Sequence, residues 1–382
     1  MARPRAYLDH NASAPLRASA RDAMLAAFDA GNPSSVHAEG RAARRVVDDA
    51  RRTVAALVGG RAEDVVFTAS ATEAASTLLR PDWREGRACL GFSHLYVCEA
   101  DHPCLRAGGH FTADQVTRIG VDGDGLLDFD ALAECLARHD RAQGLPLVAC
   151  HLANNETGVI QDWARLVALV QESGGRLVLD AVQAAGRLDL TNVGAHHLIL
   201  SAHKLGGPKG AGAIVSVCDG VAPAPLHVGG GQERGLRAGT ENVVAIAGFG
   251  AAAREALGEV ERMAAVAALR DRFAEAVRAC APGAVFHGGG ASRLANTLFF
   301  SLPGLKAETA QIGFDLAGVA LSAGSACSSG KVGPSHVLRA MGVDDEWGAL
   351  RVSIGAQTDE TELALFEAAL ARVWGGVAKT AA

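Results

Sequence analysis

Short runs of aliphatic and β-branched residues recur along the chain and predict the strands of one sheet. They occupy residues 64–68, 145–151, 176–180, 197–201 and 212–217. Continuous apolar runs of this length are typical of parallel strands that are buried on both faces. A helical pattern separates some of them, as at residues 162–173. The chain therefore predicts an α/β sheet that is covered by helices on both sides.

Helical periodicity dominates the flanking regions. The N-terminal region predicts two helices, the second at residues 39–58, separated by a turn at residues 31–35. An Ala-rich and charge-rich stretch predicts one long helix at residues 243–280. After this helix the predicted secondary structure changes: strands are expected near residues 296–301 and 350–354, between further helices.

The length and the composition set the domain organisation. A chain of 382 residues with 49% hydrophobic and 20% charged content can bury a large core, and it suits one large domain plus a smaller one. We assign residues 14–257 to the large domain. Residues 1–13 and 258–382 are predicted to form the smaller α+β domain.

The net charge and the cysteines limit the classes of partner. A net charge of −6 and a pI near 6.1 provide no basic field for nucleic acid or anionic membranes, and no apolar run approaches the roughly 20 residues of a membrane span. The 8 cysteines include no CxxC pair, so no metal site is predicted. Free thiols and an N-terminus without a secretory pattern favour a reducing cytoplasm. The expected ligand is a small molecule.

Polar residues stand at the ends of the predicted strands. Thr68, His151, Asp180 and Ser201 each close an apolar run. Ligands of open α/β sheets bind outside the carboxyl ends of the strands. We therefore expect these residues to border one crevice.

Lys204 and Asp180 are candidates for holding a cofactor. Lys204 follows a strand and precedes a glycine-rich turn, where backbone can approach a ligand closely. The alternative is an ordinary surface lysine. Asp180 ends an apolar strand, where a carboxylate needs a cation or hydrogen-bond donors. A protonated pyridine nitrogen is such a cation, and the alternative role is the N-cap of a helix that begins at Ala181.

Two turns of small residues precede predicted helices and are candidates for binding an anion. At residues 65–74, a strand, a turn and a helix place free backbone N–H groups and the Thr72 hydroxyl at a helix N-terminus. Helix capping by Thr72 alone is the alternative. The glycine-rich loop at residues 229–242 also precedes a helix and is a second candidate for closing on a phosphate.

Cys327 is the candidate nucleophile. It lies among Gly, Ser and Ala, which is typical of an exposed and mobile thiol rather than a buried structural one. A free thiol with a pKa of about 8.5 is only partly ionised at neutral pH, so it needs a nearby base or cation. His102 is a candidate, with an ordinary packed or surface histidine as the alternative. Cys104 is a second thiol, for which we expect a packing role.

In this order, these segments resemble the class I cysteine desulfurases of the NifS/IscS type, which are fold-type I enzymes that depend on pyridoxal 5′-phosphate (PLP). The resemblance covers nearly the whole chain. It includes Tyr7-Leu-Asp-His-Asn-Ala, Gly31-Asn-Pro-Ser-Ser-Val-His, Ala71-Thr-Glu, Asn154-Asn-Glu-Thr-Gly, Asp180-Ala-Val-Gln, Ser201-Ala-His-Lys, Gly324-Ser-Ala-Cys and Leu350-Arg-Val-Ser-Ile-Gly. It implies a fold-type I PLP-dependent transferase with a large, mainly parallel sheet domain and a smaller α+β domain.

The resemblance implies how PLP is held. Lys204 carries it as a Schiff base, Asp180 pairs with the pyridine nitrogen, and His102 stacks on the ring. Two residues contact the ring edge: Asn155 and Gln183. The phosphate is held by Ala71, Thr72, Ser201 and His203, with Thr240 reaching in from the partner subunit of a homodimer.

The resemblance also implies the reaction. L-cysteine is converted to L-alanine, and its sulfur is transferred to Cys327 as a persulfide. Arg351, with Asn32 and Asn155, binds the substrate carboxylate through its guanidinium fork, and Lys204 moves protons. The final acceptor is a protein such as an iron–sulfur scaffold. The alternatives are a PLP-dependent selenocysteine lyase or other C–S lyase, and a scaffold without activity.

The chain departs from the family pattern in a few places. Ser70 stands where relatives have glycine, and Ala74-Ala-Ser replaces the polar residues that follow. Both changes touch the predicted phosphate site. The segment at residues 78–94 also matches the family poorly.

Overall fold

Helices and strands alternate along most of the chain. The computed structural model describes residues 4–217, 220–324, 335–343 and 346–380, the last five of them as backbone. The α-helices are α1 (Ala18–Ala27), α2 (Ala38–Ala56), α3 (Ala71–Leu78), α4 (Pro103–Arg106), α5 (Phe129–Arg138), α6 (Trp163–Glu172), α7 (Val243–Leu257), α8 (Met263–Cys280), α9 (Ala307–Leu316), α10 (His336–Ala340) and α11 (Glu360–Thr380). The strands are β1 (Ala6–Tyr7), β2 (Val65–Thr68), β3 (Asp82–Glu85), β4 (Ala88–Cys98), β5 (Val116–Ile119), β6 (Leu145–His151), β7 (Arg176–Asp180), β8 (His197–Ser201), β9 (Gly212–Ser216), β10 (Val221–Pro223), β11 (Val285–Phe286), β12 (Thr297–Ser301), β13 (Val319–Ala320), β14 (Ser322–Ala323) and β15 (Leu350–Ser353).

A nine-stranded sheet forms the centre of the fold. Its order is β10-β3-β4-β6-β7-β8-β9-β2, with β5 added along β4. The central strands β4, β5, β6, β7 and β8 pair in parallel, whereas β3 and β9 run antiparallel to their neighbours. The strands predicted from the apolar runs are confirmed as β2, β6, β7, β8 and β9. The predicted helix at residues 162–173 is confirmed as α6, with Asp162 as its N-cap.

The central strands are buried on both faces, which explains their continuous apolar runs. In β7, Leu177 and Leu179 pack into a core that also contains Val47 of α2 and Phe249 of α7. Val178 packs into a second cluster on the opposite face, together with residues of α3. Burying an aliphatic side chain of this size contributes about 1.5–3 kcal/mol. The sheet is therefore a firm platform for the residues that follow its strands.

Another core lies on a four-stranded antiparallel sheet of order β11-β12-β15-β14. It contains Phe273 of α8, Phe314 of α9 and Phe366 of α11, together with Ala6 and Leu8 from the start of the chain. Strand β1 pairs with β13, so the N-terminal residues join the C-terminal part of the protein. The domain boundaries assigned from the sequence, after residues 13 and 257, stay a prediction.

One helix prediction is wrong. The single helix expected at residues 243–280 is divided into α7 and α8, and Gly258 and a 3₁₀ turn at Val260–Arg262 separate them. Glycine is a poor helix former, which accounts for the interruption. The segment at residues 78–94 contains the hairpin of β3 and β4, which turns at Gly86 with a φ of 60°. Among the described residues, no helix combines the length and the apolar character needed to cross a membrane.

A buried ion pair fixes the start of β2. Arg51 of α2 makes two hydrogen bonds of 2.7 Å to the Glu233 carboxylate and donates to the Val65 carbonyl at 2.6 Å. The same carboxylate accepts the N–H of Phe67 at 3.1 Å. Both charged side chains are almost excluded from solvent. Since Glu233 belongs to the loop at residues 229–242, the pair ties this loop to the central sheet.

We predict that Arg51→Met lowers the free energy of unfolding by about 3–5 kcal/mol, because it leaves the Glu233 carboxylate buried without its cation. Arg52→Met is the matched control. Arg52 is exposed and pairs with the exposed Asp49, so its loss changes stability by less than about 1 kcal/mol. Urea denaturation measures both variants. Equal, small effects of the two substitutions would contradict this role of the pair.

Candidate active site

A cavity of about 460 Å³ opens at the carboxyl edge of the central sheet. A volume of this size holds a small-molecule ligand. Strands β6, β7 and β8 contribute His151, Asp180 and Ser201 to its walls, and Thr68 precedes the lining segment at residues 69–72. The predicted site residues in its lining are Ala71, Thr72, His102, Asn155, Asp180, Gln183, Ser201, His203 and Lys204. The expectation of one crevice at the strand ends is confirmed for His151, Asp180 and Ser201, whereas Thr68 lies beside the lining segment and does not line the cavity itself.

The N-terminal segment holds the Lys204 side chain. Lys204 lies in a 3₁₀ turn directly after β8 and is half-buried. Its Nζ donates to the carbonyl oxygen of Asn11 at 2.7 Å and to that of Ala12 at 2.8 Å. Lys209 also lines the cavity but is exposed. Of these two lysines, Lys204 therefore has an amine held in position by hydrogen bonds, whereas Lys209 is exposed to solvent.

Asp180 forms another wall of the cavity. It is the last residue of β7 and is buried, and its Oδ1 accepts the N–H of Val182 at 2.9 Å. The residues after it form a turn, so the alternative of an α-helix N-cap is wrong. Burial raises the pKa of Asp180 to about 6, because the carboxylate loses its hydration. A cation facing this carboxyl group would lower that pKa again.

Gln183 and Arg187 are bonded to the segments that position Lys204. The Gln183 Nε2 donates to the Asn11 carbonyl at 3.0 Å, and its Oε1 accepts from Arg187 at 2.7 Å. Arg187 also donates to the Lys204 carbonyl at 3.3 Å, and burial lowers the Arg187 pKa to about 10. Because the Asn11 carbonyl accepts from both Gln183 and Lys204, these two side chains are positioned together.

Helix α3 presents backbone donors to the cavity. Its N-cap is Ser70, whose Oγ accepts the N–H of Glu73 at 3.1 Å, so the alternative with Thr72 as the cap is wrong. The N–H groups of Ala71 and Thr72 lie in the first turn and have no acceptor within the helix. The positive end of the helix dipole adds to their attraction for an anion. Ser70 therefore caps the helix without occupying these donors, although the family pattern has glycine there.

Strand β9 approaches this turn without an intervening side chain. A Cβ at Gly212 would lie 2.6 Å from the carbonyl carbon of Ser70 and 2.9 Å from the nitrogen of Ala71. No real Cβ contact is that short, so any larger residue at position 212 would displace the turn. Glycine at this position thus fixes where the α3 donors lie.

Three histidines line the cavity, and burial lowers the pKa of two of them, His102 and His203. His102 is the N-cap of α4: its Nδ1 accepts the N–H of Cys104 at 3.2 Å and lies 3.0 Å from the Cys104 Sγ. Burial and, to a smaller extent, the nearby charge of Lys204 lower the pKa of His102 to about 4. Burial also lowers the pKa of His203 to about 4, and the His203 Nδ1 lies 3.2 Å from the Ser13 Oγ. Both imidazoles are therefore neutral near pH 7.

A cluster of buried polar side chains, formed by Asp101, His151 and Gln161, lies at the cavity wall next to His102. The His151 Nδ1 lies 2.6 Å from Asp101 Oδ1, and its Nε2 lies 3.0 Å from the Gln161 Nε2. Cys98 and Cys150 bring further ligand atoms within 4.8 Å of these groups, as a metal site requires. Asp101 is already bonded through both oxygens, since its Oδ2 accepts the N–H of Cys98 at 2.9 Å. The mutual hydrogen bonds indicate a structural role.

Arg351 lies at the margin of the cavity. It is 1% exposed, donates to Asp9 Oδ1 at 2.7 Å and donates to the Asn155 carbonyl at 3.0 Å. Asn155 lines the cavity, whereas Arg351 stands behind it. The guanidinium group therefore adjoins Asn155 in the cavity wall, and Asp9 balances its charge.

Besides Arg351, which stands behind Asn155, three predicted site residues are absent from the described cavity wall. Asn32 and Thr240 are exposed and do not line the cavity. Cys327 lies outside the described residues. The loop at residues 229–242, which carries Thr240, contacts α3 through a 2.9 Å ion pair between Arg237 and Glu73.

The sequence did not reveal the residues that hold Lys204. Asn11 and Ala12 act through backbone carbonyl groups, which leave no signal in the type of residue. The Tyr7-Leu-Asp-His-Asn-Ala motif marks this segment as part of the resemblance but says nothing about its contacts. Asp9 belongs to the same motif, and its carboxylate accepts a hydrogen bond from Arg351. The motif alone does not indicate that contact, so Asp9 was also missed.

Comparison with known proteins extends these observations. Residues 6–366 match the family model Aminotransferase class-V. A cysteine desulfurase from Frankia sp. is 40% identical over 378 residues, which cover 94% of this chain and 88% of the relative. An IscS-like cysteine desulfurase from Mycobacterium tuberculosis is 36% identical, with 98% of this chain and 96% of the relative covered.

The solved structures agree. A NifS-like protein from Rickettsia africae has a TM-score of 0.84 and 27% sequence identity, with 97% of this chain and 99% of that chain covered. The fold is that of the fold-type I PLP-dependent transferases, as the resemblance implies. The chain belongs to the aminotransferase class-V family and, within it, to the cysteine desulfurases of the NifS/IscS type.

We predict that Asp180→Asn stabilises the protein prepared without PLP. The folded-state pKa of about 6 exceeds the ordinary 3.8, so the folded form binds the proton more tightly and stability is lost as the pH rises between these values. The full cost above pH 6 is about 3 kcal/mol. Asn removes that cost and keeps an acceptor for the Val182 N–H.

Thermal unfolding near pH 8 and near pH 4 measures this effect. The gain in melting temperature for Asp180→Asn over the unsubstituted protein is expected near pH 8 and is expected to vanish near pH 4. An equal gain at both pH values would show that the carboxyl group has no raised pKa.

Proposed function

We propose that the protein converts L-cysteine to L-alanine and transfers the sulfur to Cys327 as a persulfide. The observation that carries this proposal is the convergence on one cavity of a half-buried amine, a buried carboxyl group and a helix N-terminus. They belong to Lys204, Asp180 and α3. Relatives over almost the full length of the chain that are named cysteine desulfurases support the same activity.

These groups fit PLP in their charge and chemistry. Lys204 offers the amine for covalent attachment, and Asp180 offers a carboxylate to a protonated pyridine nitrogen. That pairing offsets the burial that raises the Asp180 pKa in the protein alone. The phosphate would be held by Ala71, Thr72, Ser201 and His203, which all line the cavity. Bound PLP supplies an electron sink for bond cleavage at the substrate.

Three further residues of the cavity lining, His102, Asn155 and Gln183, are suited to contact the PLP ring. His102 offers a neutral imidazole for stacking, since burial keeps its pKa well below neutrality. Asn155 and Gln183 offer polar side chains at the ring edge. Gln183 is suited to a fixed contact, because Arg187 and the Asn11 carbonyl already set the orientation of its amide.

Substrate binding is assigned to the margin of the cavity. Arg351 offers a buried guanidinium group next to Asn155, and a guanidinium fork binds a carboxylate through two parallel hydrogen bonds. Asn32 assists from the exposed turn before α2. Arg351, Asn32 and Asn155 would together hold the substrate carboxylate.

Cys327 and Lys204 perform the sulfur transfer. The Cys327 thiolate forms a bond to the substrate sulfur as the substrate C–S bond breaks, and the electron pair of that bond leaves with the carbon. A proton held at the Lys204 Nζ completes the methyl group of alanine. Described residues next to the segment that contains Cys327 contact the cavity region. Ser335 donates to Glu156 at 2.6 Å, and the His336 Nε2 lies 2.9 Å from the Asp101 carbonyl, next to His102.

The proposal includes a homodimer, in which Thr240 contacts the phosphate held by the partner subunit. Thr240 is exposed and is absent from the lining of its own cavity. Large apolar side chains are also exposed on the described surface, including Phe28 at 65%, Val36 at 87% and Val228 at 86%. Val228 immediately precedes the loop that carries Thr240. A partner surface that covers these side chains would bury apolar area and bring the loop to a second cavity.

We further propose that the persulfide passes to an acceptor protein, such as an iron–sulfur scaffold, in the cytoplasm. Six cysteines of the described residues are free thiols, which suits a reducing compartment: Cys89, Cys98, Cys104, Cys135, Cys150 and Cys280.

We predict that treatment of the PLP-loaded protein with L-cysteine adds one sulfur to Cys327. Peptide mass spectrometry locates the added mass, and alanine release is measured in parallel. Cys327→Ser is expected to stop turnover with PLP retained, because the thiolate that takes the sulfur is lost. Cys89→Ser is the matched control, since Cys89 is an exposed thiol remote from the cavity lining, and it leaves turnover unchanged.

Two outcomes would contradict this activity. Undiminished release of sulfide and alanine by Cys327→Ser would indicate a C–S lyase that needs no protein persulfide. Rapid turnover of selenocysteine by the same variant, with none of cysteine, would indicate a selenocysteine lyase.

A further inference from the structure

Cys104 makes two contacts with one atom of His102. Its backbone N–H donates to the His102 Nδ1 at 3.2 Å, and its Sγ lies 3.0 Å from that same nitrogen. A backbone N–H can only donate, so Nδ1 carries no proton and uses its lone pair as an acceptor. The thiol must then act as a second donor to Nδ1. The single proton of the neutral imidazole is therefore on Nε2.

The local sequence provides both donors. Pro103 is the first residue of α4 and has no N–H, so the N–H of Cys104 is the first one available to the N-cap side chain. Burial raises the pKa of the Cys104 thiol far above its usual value, and Asp180 and Asp101 raise it further. The thiol therefore keeps its proton and remains a donor.

The other ring nitrogen is available to a ligand. Within the part of the chain that the structure describes, the His102 Nε2 has no hydrogen-bond partner, and His102 lines the cavity. An N–H group in a cavity wall favours a ligand acceptor in its reach. The opposite tautomer would present a lone pair there instead and would lose the hydrogen bond from the Cys104 backbone N–H.

We propose that Cys104 is a positioning residue, which holds His102 in the tautomer with the proton on Nε2 and so presents an N–H donor to the ligand in the cavity. The identity of that ligand rests on the proposed function, whereas the tautomer does not. Other ionisable groups act on the same ring: Lys204 and His336 disfavour its protonation, and Asp101 favours it. These groups are unchanged when Cys104 is replaced.

We predict that Cys104→Ala raises the pKa of His102 by about 0.5–1 unit, because one donor to Nδ1 is lost. Cys104→Ser keeps a donor and is expected to restore the original pKa. Cys89→Ala is the control for loss of a remote, exposed thiol. Nitrogen-15 NMR of the histidine-labelled protein without PLP measures the pKa and the tautomer, and His102→Gln identifies the His102 signals.

The unsubstituted protein is expected to show an unprotonated Nδ1 and a protonated Nε2. An Nδ1–H signal there, or an unchanged pKa in Cys104→Ala, would overturn the proposal. In the PLP-loaded protein, the acidic limb of the pH profile of kcat/KM is expected to shift to higher pH in Cys104→Ala and to return in Cys104→Ser. An acidic limb that stays in place in Cys104→Ala contradicts the role assigned to the Nε2 donor.

Mass mapping after cysteine treatment separates this proposal from the proposed function. Sulfur on Cys104 would make this residue a nucleophile and would overturn its positioning role. Absence of any desulfurase activity, with the expected NMR tautomer, would reject the proposed function and leave the His102–Cys104 arrangement intact.

Discussion

The hydrogen bonds from the Lys204 amine to the carbonyl groups of Asn11 and Ala12 are the contact around which the site is arranged. They require the N-terminal segment to reach the carboxyl edge of the large sheet. The Asn11 side chain is itself bonded to Thr297 at 2.9 Å and to Asn296 at 3.0 Å, on the smaller sheet. Leu8, three residues earlier, packs into the core of that sheet. The packing of the core on the smaller sheet thus helps to determine where the Lys204 amine lies at the edge of the larger sheet.

The sheet and its strand ends could be predicted from the sequence, because burial on both faces demands uninterrupted apolar runs. The same runs place Asp180 and Ser201 at one edge. The helix division at Gly258 was missed, since the Ala-rich periodicity continues on both sides of it. The supports of the site were also missed. Carbonyl groups such as that of Asn11, and the Cys104 contact with His102, depend on three-dimensional proximity and leave no periodic signal.

The electrostatics of the cavity are set for a charged ligand. Burial raises the pKa of Asp180 and lowers the pKa of His102 and His203, so the protein alone disfavours charge on each of them. A ligand with a cationic ring nitrogen and an anionic phosphate would offer opposite charges to the Asp180 carboxylate and to the N–H groups at the start of α3. The cost of burying Asp180 and the free N–H groups of α3 is thereby offset on binding, which links cofactor affinity to the stability of the fold.

Lys204 is the amine that we propose carries PLP. Reduction of the PLP-loaded protein with sodium borohydride, followed by proteolysis and mass spectrometry, locates the pyridoxyl group directly. The positioned amine of Lys204, half-buried against Asn11 and Ala12, is predicted to carry the label in full. A label on Lys209, which lines the same cavity but is exposed, would contradict the assignment of Lys204 as the attachment site.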